Sequence, residues 1–309
     1  MQESTTISRP VEEKAKSRSM RLFSWVYKEI PFVLGAIPFL WQILFFVIPL
    51  CLIIGLSVIE LDTLGNISKI SLDAFKQILT PKYFYIIHNS LKLASLTTIL
   101  CLLLGLPLAY CMAFHSGKLK QLLLFLLIIP FWTNFILHIY AWFFVLEKNG
   151  FLNNVLISSG LISEPLHALN TYFAVLLMMI YFYLPFMVLP LYSSLERFDG
   201  KLLEASLDLG ANKVQTICRI LLPSIKKAIK AGIFLVFIPS FGEFVIPELM
   251  GGDKVAYVGN VISLYVLDQS SQTLGIAFTL LSAFLLILSL VTLNFGIEKF
   301  SKRLAGGEK

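Results

Sequence analysis

The sequence predicts an all-α, polytopic membrane protein with six membrane-spanning helices. Its 309 residues are 57% hydrophobic and 14% charged, and the mean hydropathy is +0.80. That balance is too apolar for a soluble domain of this length. Five uncharged runs each reach the roughly 20 apolar residues that a helix needs to cross a bilayer. They cover residues 30–59, 93–114, 121–146, 165–195 and 269–297.

The sixth span is predicted over residues 231–250, which form an apolar run of sufficient length that also contains Glu243 and Glu248. The six spans make one transmembrane domain over residues 31–298. Residues 1–30 are expected to form an N-terminal tail with an interfacial segment, and residues 299–309 a C-terminal tail.

The basic residues predict the orientation of the chain. If the N-terminus is inside, most of the 25 lysines and arginines fall on the cytosolic side, many of them in the loop over residues 196–230. Such an excess in cytosolic segments is the usual sign of topology in membrane proteins. We therefore expect both termini and this loop to face the cytosol, and we interpret the net charge of +6 as a topology signal rather than as a nucleic-acid footprint.

Catalytic and cofactor patterns are missing from the sequence. The four cysteines and four histidines have no metal-ligand spacing, and no HExxH motif occurs. No GxxxxGK[ST] phosphate-binding loop occurs either. We expect no metal, no cofactor and no catalytic site in this chain. A membrane-embedded enzyme is therefore a weak alternative.

The cytosolic loop contains the segment EASLDLGANKVQTICRILLP, residues 204–223, whose spacing predicts two short helices. Asp199 is a good N-cap for the first helix, and Gly210 is placed as its left-handed C-cap. Asn212 caps the second helix, which Pro223 ends. One apolar face is predicted on each helix: Leu202, Ala205, Ser206 and Leu209 on the first, and Val214, Ile217 and Leu221 on the second. Periodicity alone allows these faces to rest on lipid headgroups or on another protein.

The spacing of this loop resembles the signature of the inner-membrane permease subunits of ABC importers. In that family the pattern is EAA, three residues, Gly, nine residues and I-x-LP. The matching residues are Glu204, Ala205, Gly210, Ile220, Leu222 and Pro223, with Ser206 in place of the second alanine. The resemblance implies a six-span permease whose loop is a coupling helix seated on a separate ATPase subunit. It further implies a second permease subunit, two ATPase subunits and an extracytoplasmic solute-binding protein.

Three further segments resemble the spermidine/putrescine branch of these permeases, and within it the putrescine type. They are FIPSFGEFVIPELMGG from residue 237, IPFWTNFILHIYAW from residue 129 and NGFLNN from residue 149. Sister branches for iron(III), sulfate, thiamine or phosphonates share much of this framework and remain alternatives. The branch often has arginine where this sequence has His138.

The fifth span carries the first candidate residues of a substrate pathway. Ser240 and Glu243 lie on one helical face, and Glu248 follows near the outer surface. A carboxylate within a membrane normally faces the protein interior or a wet cavity, where it suits a cationic substrate. The alternatives are that Glu243 accepts hydrogen bonds at a helix break or pairs with a neighbouring subunit.

The third span adds aromatic and polar candidates. Trp132 and Tyr140 offer cation–π faces to an ammonium group, although aromatics near the ends of a span often form only the interfacial belt. Asn134 and His138 share a face and are expected to bridge to another helix. A self-contained secondary transporter is the main alternative of a different class, but it usually has more spans and an inverted repeat, which this sequence lacks.

Overall fold

The computed structural model describes residues 36, 38–61, 67–115, 117–252, 255–267 and 272–304. The chain divides into two compact units, Met1–Ser71 and Leu72–Lys309. The N-terminal tail predicted over residues 1–30 and the last five residues of the predicted C-terminal tail lie outside the described residues.

The first unit contains one long helix and a small hairpin. Helix α1, Pro38–Leu56, is apolar enough to be the first span, and it includes a wide π-helical turn at Ile43–Val47. Strands β1, Ile59–Leu61, and β2, Ile67–Ile70, then pair antiparallel. The predicted span over residues 30–59 ends too late, because the helix stops at Leu56 and Ile59 already belongs to β1.

The second unit is helical. Its helices in chain order are α2 Asp73–Ile78, α3 Pro81–Phe114, α4 Lys118–Trp132, α5 Phe135–Leu146, α6 Phe151–Ser158, α7 Tyr172–Glu196, α8 Lys201–Asp208, α9 Lys213–Thr216, α10 Leu222–Ser224, α11 Lys226–Phe241, α12 Val245–Gly251, α13 Val258–Leu267 and α14 Gln272–Leu304. A π-helical turn at Ile217–Leu221 joins α9 to α10.

Four helices of the two units are long and apolar enough to cross a membrane, and the number is six if each of two bent pairs forms one span. The third span bends by 105° between Trp132 and Phe135, and the fifth by 63° between Phe241 and Val245. The predicted all-α membrane architecture is confirmed. A helix break at Glu243 was one of the alternatives for the fifth span, whereas the hydropathy of the third span does not reveal its break.

The core of the second unit forms where α3, α7 and α11 pack together around Met187 on α7. A methyl group added at Gly232 on α11 would lie 2.6 Å from the Met187 Sδ, and one added at Gly105 on α3 would lie 3.1 Å from its Cγ. Small residues at membrane helix interfaces allow this kind of close approach. The two glycines therefore fix how α3 and α11 sit against α7.

Ion pairs join neighbouring spans at the ends predicted to be cytosolic. Lys120 on α4 lies 2.7 Å from Glu196 at the end of α7, and Lys230 on α11 lies 2.6 Å from Glu298 on α14. The Tyr192 hydroxyl also donates to Glu196 at 2.7 Å. Such partly exposed pairs contribute little stability, but they fix the side chains at this end of the bundle.

Candidate functional site

The first helix of the cytosolic loop ends as predicted, but its N-cap residue is Gly200 and not the predicted Asp199, which lies one residue earlier. The Asp199 carboxylate accepts a hydrogen bond from the Lys201 amide at 3.1 Å. Gly210 has φ +85°, the left-handed conformation that glycine adopts without strain. The Gly210 amide donates to the Leu207 carbonyl at 2.9 Å, and the Ala211 amide donates to the Ser206 carbonyl at 3.1 Å. These two bonds form a Schellman motif, so Gly210 sets the direction in which the chain leaves α8.

The second helix of the loop begins with a capping box. The Asn212 side chain accepts from the Gln215 amide at 2.8 Å, and the Gln215 side chain accepts from the Asn212 amide at 3.0 Å. The prediction that Pro223 ends this helix was wrong by a small margin, because the helix continues to Ser224. Proline clashes with the carbonyl four residues earlier, and the π-helical turn before it changes that spacing.

Ser206, the departure from the EAA pattern, has a specific partner. Its hydroxyl lies 2.7 Å from the hydroxyl of Thr216, and both side chains are buried. A buried hydroxyl needs a hydrogen-bond partner to offset its loss of water. The pair therefore links α8 to α9 directly, and the serine is compatible with the motif because Thr216 lies opposite it.

The predicted apolar faces of the loop are split in two. Ser206 and Leu221 are buried within the chain, whereas Leu202, Leu209 and Val214 are 51%, 89% and 69% exposed. The side chain of Ser206 turns toward α9, whereas Leu202 on the same predicted face is exposed. The loop thus presents an apolar surface, which we call the coupling surface and define as Leu202, Ala205, Leu209, Val214 and Ile217.

The other signature residues of the loop flank the coupling surface. Glu204 is exposed in the first turn of α8. Ile220 is half-buried in the π-helical turn, and Leu222 and Pro223 are half-buried in α10, where the chain returns to the membrane domain. The signature thus spans the whole loop from α8 to α10.

Glu243 lies in the break of the fifth span. Its Oε2 accepts a hydrogen bond from the Tyr183 hydroxyl at 2.7 Å, and its Oε1 accepts from the Val245 amide at 3.0 Å. The side chain is half-buried. Tyr183 is on α7, so the carboxylate ties the break between α11 and α12 to the fourth span. The hydrogen bonds match the alternative role at a helix break.

Ser240 and Glu248 lie on either side of this break. Ser240 is buried and its hydroxyl donates to the Val236 carbonyl of its own helix at 2.6 Å. Glu248 is exposed and accepts a hydrogen bond from the Asn260 side chain. It lines a cavity of about 390 Å³ between α12 and α13.

The break of the third span is organised by Asn134 and His138. The Asn134 side chain accepts from the Ile136 amide at 2.8 Å and caps α5, rather than reaching another helix. His138 does reach another helix, because its Nδ1 lies 3.0 Å from the Tyr181 hydroxyl of α7. Its Nε2 is hydrogen-bonded to the Thr133 hydroxyl.

The side chains of the two aromatic candidates in the third span are exposed. Trp132 is 77% exposed at the end of α4, with its ring edge-on to Phe125 at 6.4 Å, and Tyr140 is exposed on α5. Both side chains are therefore accessible to a partner protein or to lipid. Their cation–π role stays a prediction.

Two tyrosines of α7 were missed by sequence reasoning. Tyr181 and Tyr183 stand at the middle of the fourth span and bind the breaks of the third and fifth spans, at His138 and Glu243. Phenol groups far from the ends of a span are a signal of internal hydrogen bonding, because a buried tyrosine hydroxyl usually finds a partner. Their partners are 43 and 60 residues away in sequence and cannot be read from it.

Comparison with known proteins agrees with this geometry. The family described as "Binding-protein-dependent transport system inner membrane component" matches residues 102–305. The Haemophilus influenzae protein named "Spermidine/putrescine transport system permease protein PotB" is 40% identical over 246 residues, which cover 79% of this chain and 86% of that protein. Its Escherichia coli namesake is 42% identical over 77% of this chain and 86% of its own length.

A solved structure shares the fold. It is that of a bacterial ABC transporter involved in the import of the acidic polysaccharide alginate, with a TM-score of 0.68 and 17% identity. The match covers 90% of this chain and 99% of that one. Since the family match extends over more than half of the chain and relatives of 40% identity cover most of it, the chain belongs to the binding-protein-dependent transport system inner membrane components.

Proposed function

We propose that this chain is a permease subunit of an ABC importer and forms half of a transmembrane pathway for polyamines such as putrescine and spermidine. The observation that carries the proposal is the 40–42% identity, over 77–79% of the chain, to permeases named for spermidine/putrescine transport. The Escherichia coli permease named YdcU is 32% identical over 242 residues, which cover 74% of this chain. The polyamine relatives are therefore clearly more similar.

The chemistry of the bent fifth span supports a cationic substrate. Polyamines carry protonated amines, and Glu243 holds a carboxylate at a break in a membrane span, where the helix does not enclose it. An ionised group at membrane depth is costly and is generally compensated by a counter-charge or a wet cavity. Among the described residues no ion pair is recorded for Glu243, so an ammonium group of the substrate is a fitting partner.

The energy source is proposed to be a separate ATPase that binds the coupling surface. Large apolar patches on a loop predicted to be cytosolic mark an interaction site. Leu209, 89% exposed at the end of α8, is the most open of these side chains. In this arrangement ATP hydrolysis belongs to the partner, and the permease itself needs neither catalytic site nor cofactor.

The assembly is proposed to contain a second permease subunit, two ATPase subunits and an extracytoplasmic solute-binding protein in the cell inner membrane. A related fold has been solved in complex with a periplasmic protein bound to an alginate pentasaccharide, with a TM-score of 0.68. Both termini of this chain are proposed to be cytosolic, in line with the distribution of its basic residues.

Uptake by cells tests the proposal. Cells that lack their own polyamine importers receive the complete gene cassette, and uptake of labelled putrescine, spermidine, sulfate, iron(III), thiamine and a phosphonate is measured. We expect polyamine uptake alone to rise. A matched cassette with an inactive ATPase should show none. Uptake that persists without the ATPase would indicate a secondary transporter, and uptake of one of the other solutes would assign the chain to a sister branch.

A further inference from the structure

The second unit contains an apolar groove of about 670 Å³ between α3, α11 and α14. Leu103 and Pro107 line it from α3, Ile233 from α11 and Gly296 from α14. The groove is separate from both breaks and from the coupling surface. None of the roles derived above uses it.

The groove extends from the predicted cytosolic boundary into the bilayer. Pro223 and Lys226 line it at the start of the fifth span. Leu103, on the opposite wall, lies eleven residues before the end of α3 at Phe114, about 16 Å along the axis at 1.5 Å per residue. An extended hydrocarbon chain that entered at Lys226 would therefore point toward the bilayer centre, as a lipid tail does.

A cation stands at the polar end of this otherwise apolar groove. Lys226 is exposed, and among the described residues no ion pair is recorded for it. Lys230 follows one turn later on the same helix, and the nearby acid Glu298 is paired with it at 2.6 Å. The local charge at the mouth is positive, so it matches an anionic headgroup and not a cationic one.

We propose that the groove binds an anionic phospholipid, with one acyl chain between α3, α11 and α14 and the headgroup phosphate on Lys226. Basic pockets between membrane helices on the cytoplasmic side are a known way to hold acidic lipid headgroups. The proposal rests on the orientation proposed above, which places Lys226 at the cytosolic leaflet. It is independent of which solute is transported.

The position of the groove gives this lipid a mechanical role. Leu222 and Pro223, the last signature residues of the coupling loop, form part of its wall. An acyl chain in the groove would fill the space between these residues and the second and sixth spans. Movement of the coupling loop would then be transmitted across a packed interface, because close-packed groups transmit displacement and voids do not.

A photoreactive residue in the groove tests the proposal. Gly296 lines the groove, and a methyl group added there meets no atom within 4 Å, so the Cβ of Gly296→p-benzoylphenylalanine has room at this position. The assembled importer is placed in nanodiscs with equal amounts of phosphatidylglycerol and phosphatidylcholine, irradiated and analysed by mass spectrometry. We expect about five times as many adducts with phosphatidylglycerol as with phosphatidylcholine. This ratio corresponds to the roughly 1 kcal/mol by which one lysine near the membrane surface attracts an anionic lipid.

Matched variants distinguish a built site from bulk lipid. Phe284→p-benzoylphenylalanine places the same probe on an exposed position of the same helix outside the groove, and it should capture both lipids equally. Lys226→Gln should abolish the preference at position 296, whereas Lys227→Gln, on the adjacent residue that does not line the groove, should keep it. Equal capture of the two lipids at position 296 would overturn the proposal. So would an adduct between position 296 and another protein chain, which would identify a partner span as the occupant.

Discussion

Tyr183 donates a hydrogen bond of 2.7 Å to Glu243, which links the middle of the fourth span to the break in the fifth. The same carboxylate accepts from the Val245 amide at 3.0 Å and so holds the first turn of α12. One side chain thus sets the position of two helices relative to each other. A cation that approached Glu243 would act at this junction.

Glu243→Gln separates charge from shape at the break. The amide can still accept from Val245 and can donate to the Tyr183 oxygen, so the fold should persist while the negative charge is lost. We expect polyamine uptake to fall at least tenfold with near-normal amounts of assembled complex. Uptake of labelled putrescine per purified complex measures this. Wild-type uptake by assembled complexes would remove Glu243 from the pathway and weaken the polyamine assignment.

Tyr183→Phe is the control for Glu243→Gln: it tests how the position of the Glu243 carboxylate affects uptake while its charge is kept. It removes one hydrogen bond to a carboxylate, a contribution of about 1.5–3 kcal/mol, and leaves the carboxylate in place. We expect lower thermal stability with uptake reduced only a few-fold, because the charge remains. A loss of uptake as complete as that of Glu243→Gln, with stability unchanged, would show that the hydroxyl itself serves transport.

Gly210→Val tests the direction of the coupling loop. The glycine has φ +85°, a conformation that costs other residues roughly 1–2 kcal/mol and is worst for β-branched ones. A side chain there has open space, so the strain is confined to the backbone. We expect normal membrane insertion but loss of transport-coupled ATP hydrolysis. Gly210→Asn, which tolerates the left-handed region, should remain largely active, and equal activity of the two variants would contradict the assigned role of the turn.

Leu209→Ser tests the coupling surface. At 89% exposure the side chain contributes little to the fold, so stability should not change. If the ATPase buries it, about 1.5–3 kcal/mol of binding free energy is lost, which is roughly tenfold or more in affinity. Binding of purified ATPase to the permease in nanodiscs measures the effect. Leu161→Ser, on a 73% exposed leucine outside the loop, is the control and should bind normally. Unchanged binding by both would place the ATPase elsewhere.

Gly259→Ala tests how α13 supports the break of the fifth span. A methyl group at Gly259 would lie 2.4 Å from the Gly242 carbonyl oxygen and 2.8 Å from that of Glu243. Because backbone atoms cannot move aside cheaply, we expect a loss of several degrees in melting temperature and reduced uptake. The same change at Gly55 in α1, where a methyl group meets nothing within 4 Å, should leave both unchanged. A stable, active Gly259→Ala variant would show that α13 shifts freely.

Much of this architecture can be read from local patterns. Hydropathy alone locates the spans, and the caps at Gly210 and Asn212 follow from short-range hydrogen-bond chemistry. The bends in the third and fifth spans cannot be predicted from local patterns, because they depend on tertiary partners. Asn134 is a helix-capping residue in an apolar run, and only the fold decides that it ends one helix and starts another.

The split of the coupling loop shows the same limit. Periodicity places Leu202 and Ser206 on one helical face, but it cannot tell which part of that face meets the neighbouring helix. Ser206 is buried because Thr216 offers it a hydrogen bond, and Leu202 stays exposed because none of the residues that the structure describes covers it. The hydrogen-bond partners of His138 and Glu243, two candidate pathway residues, were harder still to predict, since Tyr181 and Tyr183 come from a different span.

The bond between Ser206 and Thr216 has a consequence for how the loop meets its partner. With that bond, the Schellman motif and the capping box in place, the loop already has its shape before any partner arrives. The conformational entropy of ordering the loop is then lost during folding of the permease, not during association. Association should therefore resemble the docking of two rigid surfaces, with a heat-capacity change that reflects buried area alone and no contribution from a segment that folds on contact.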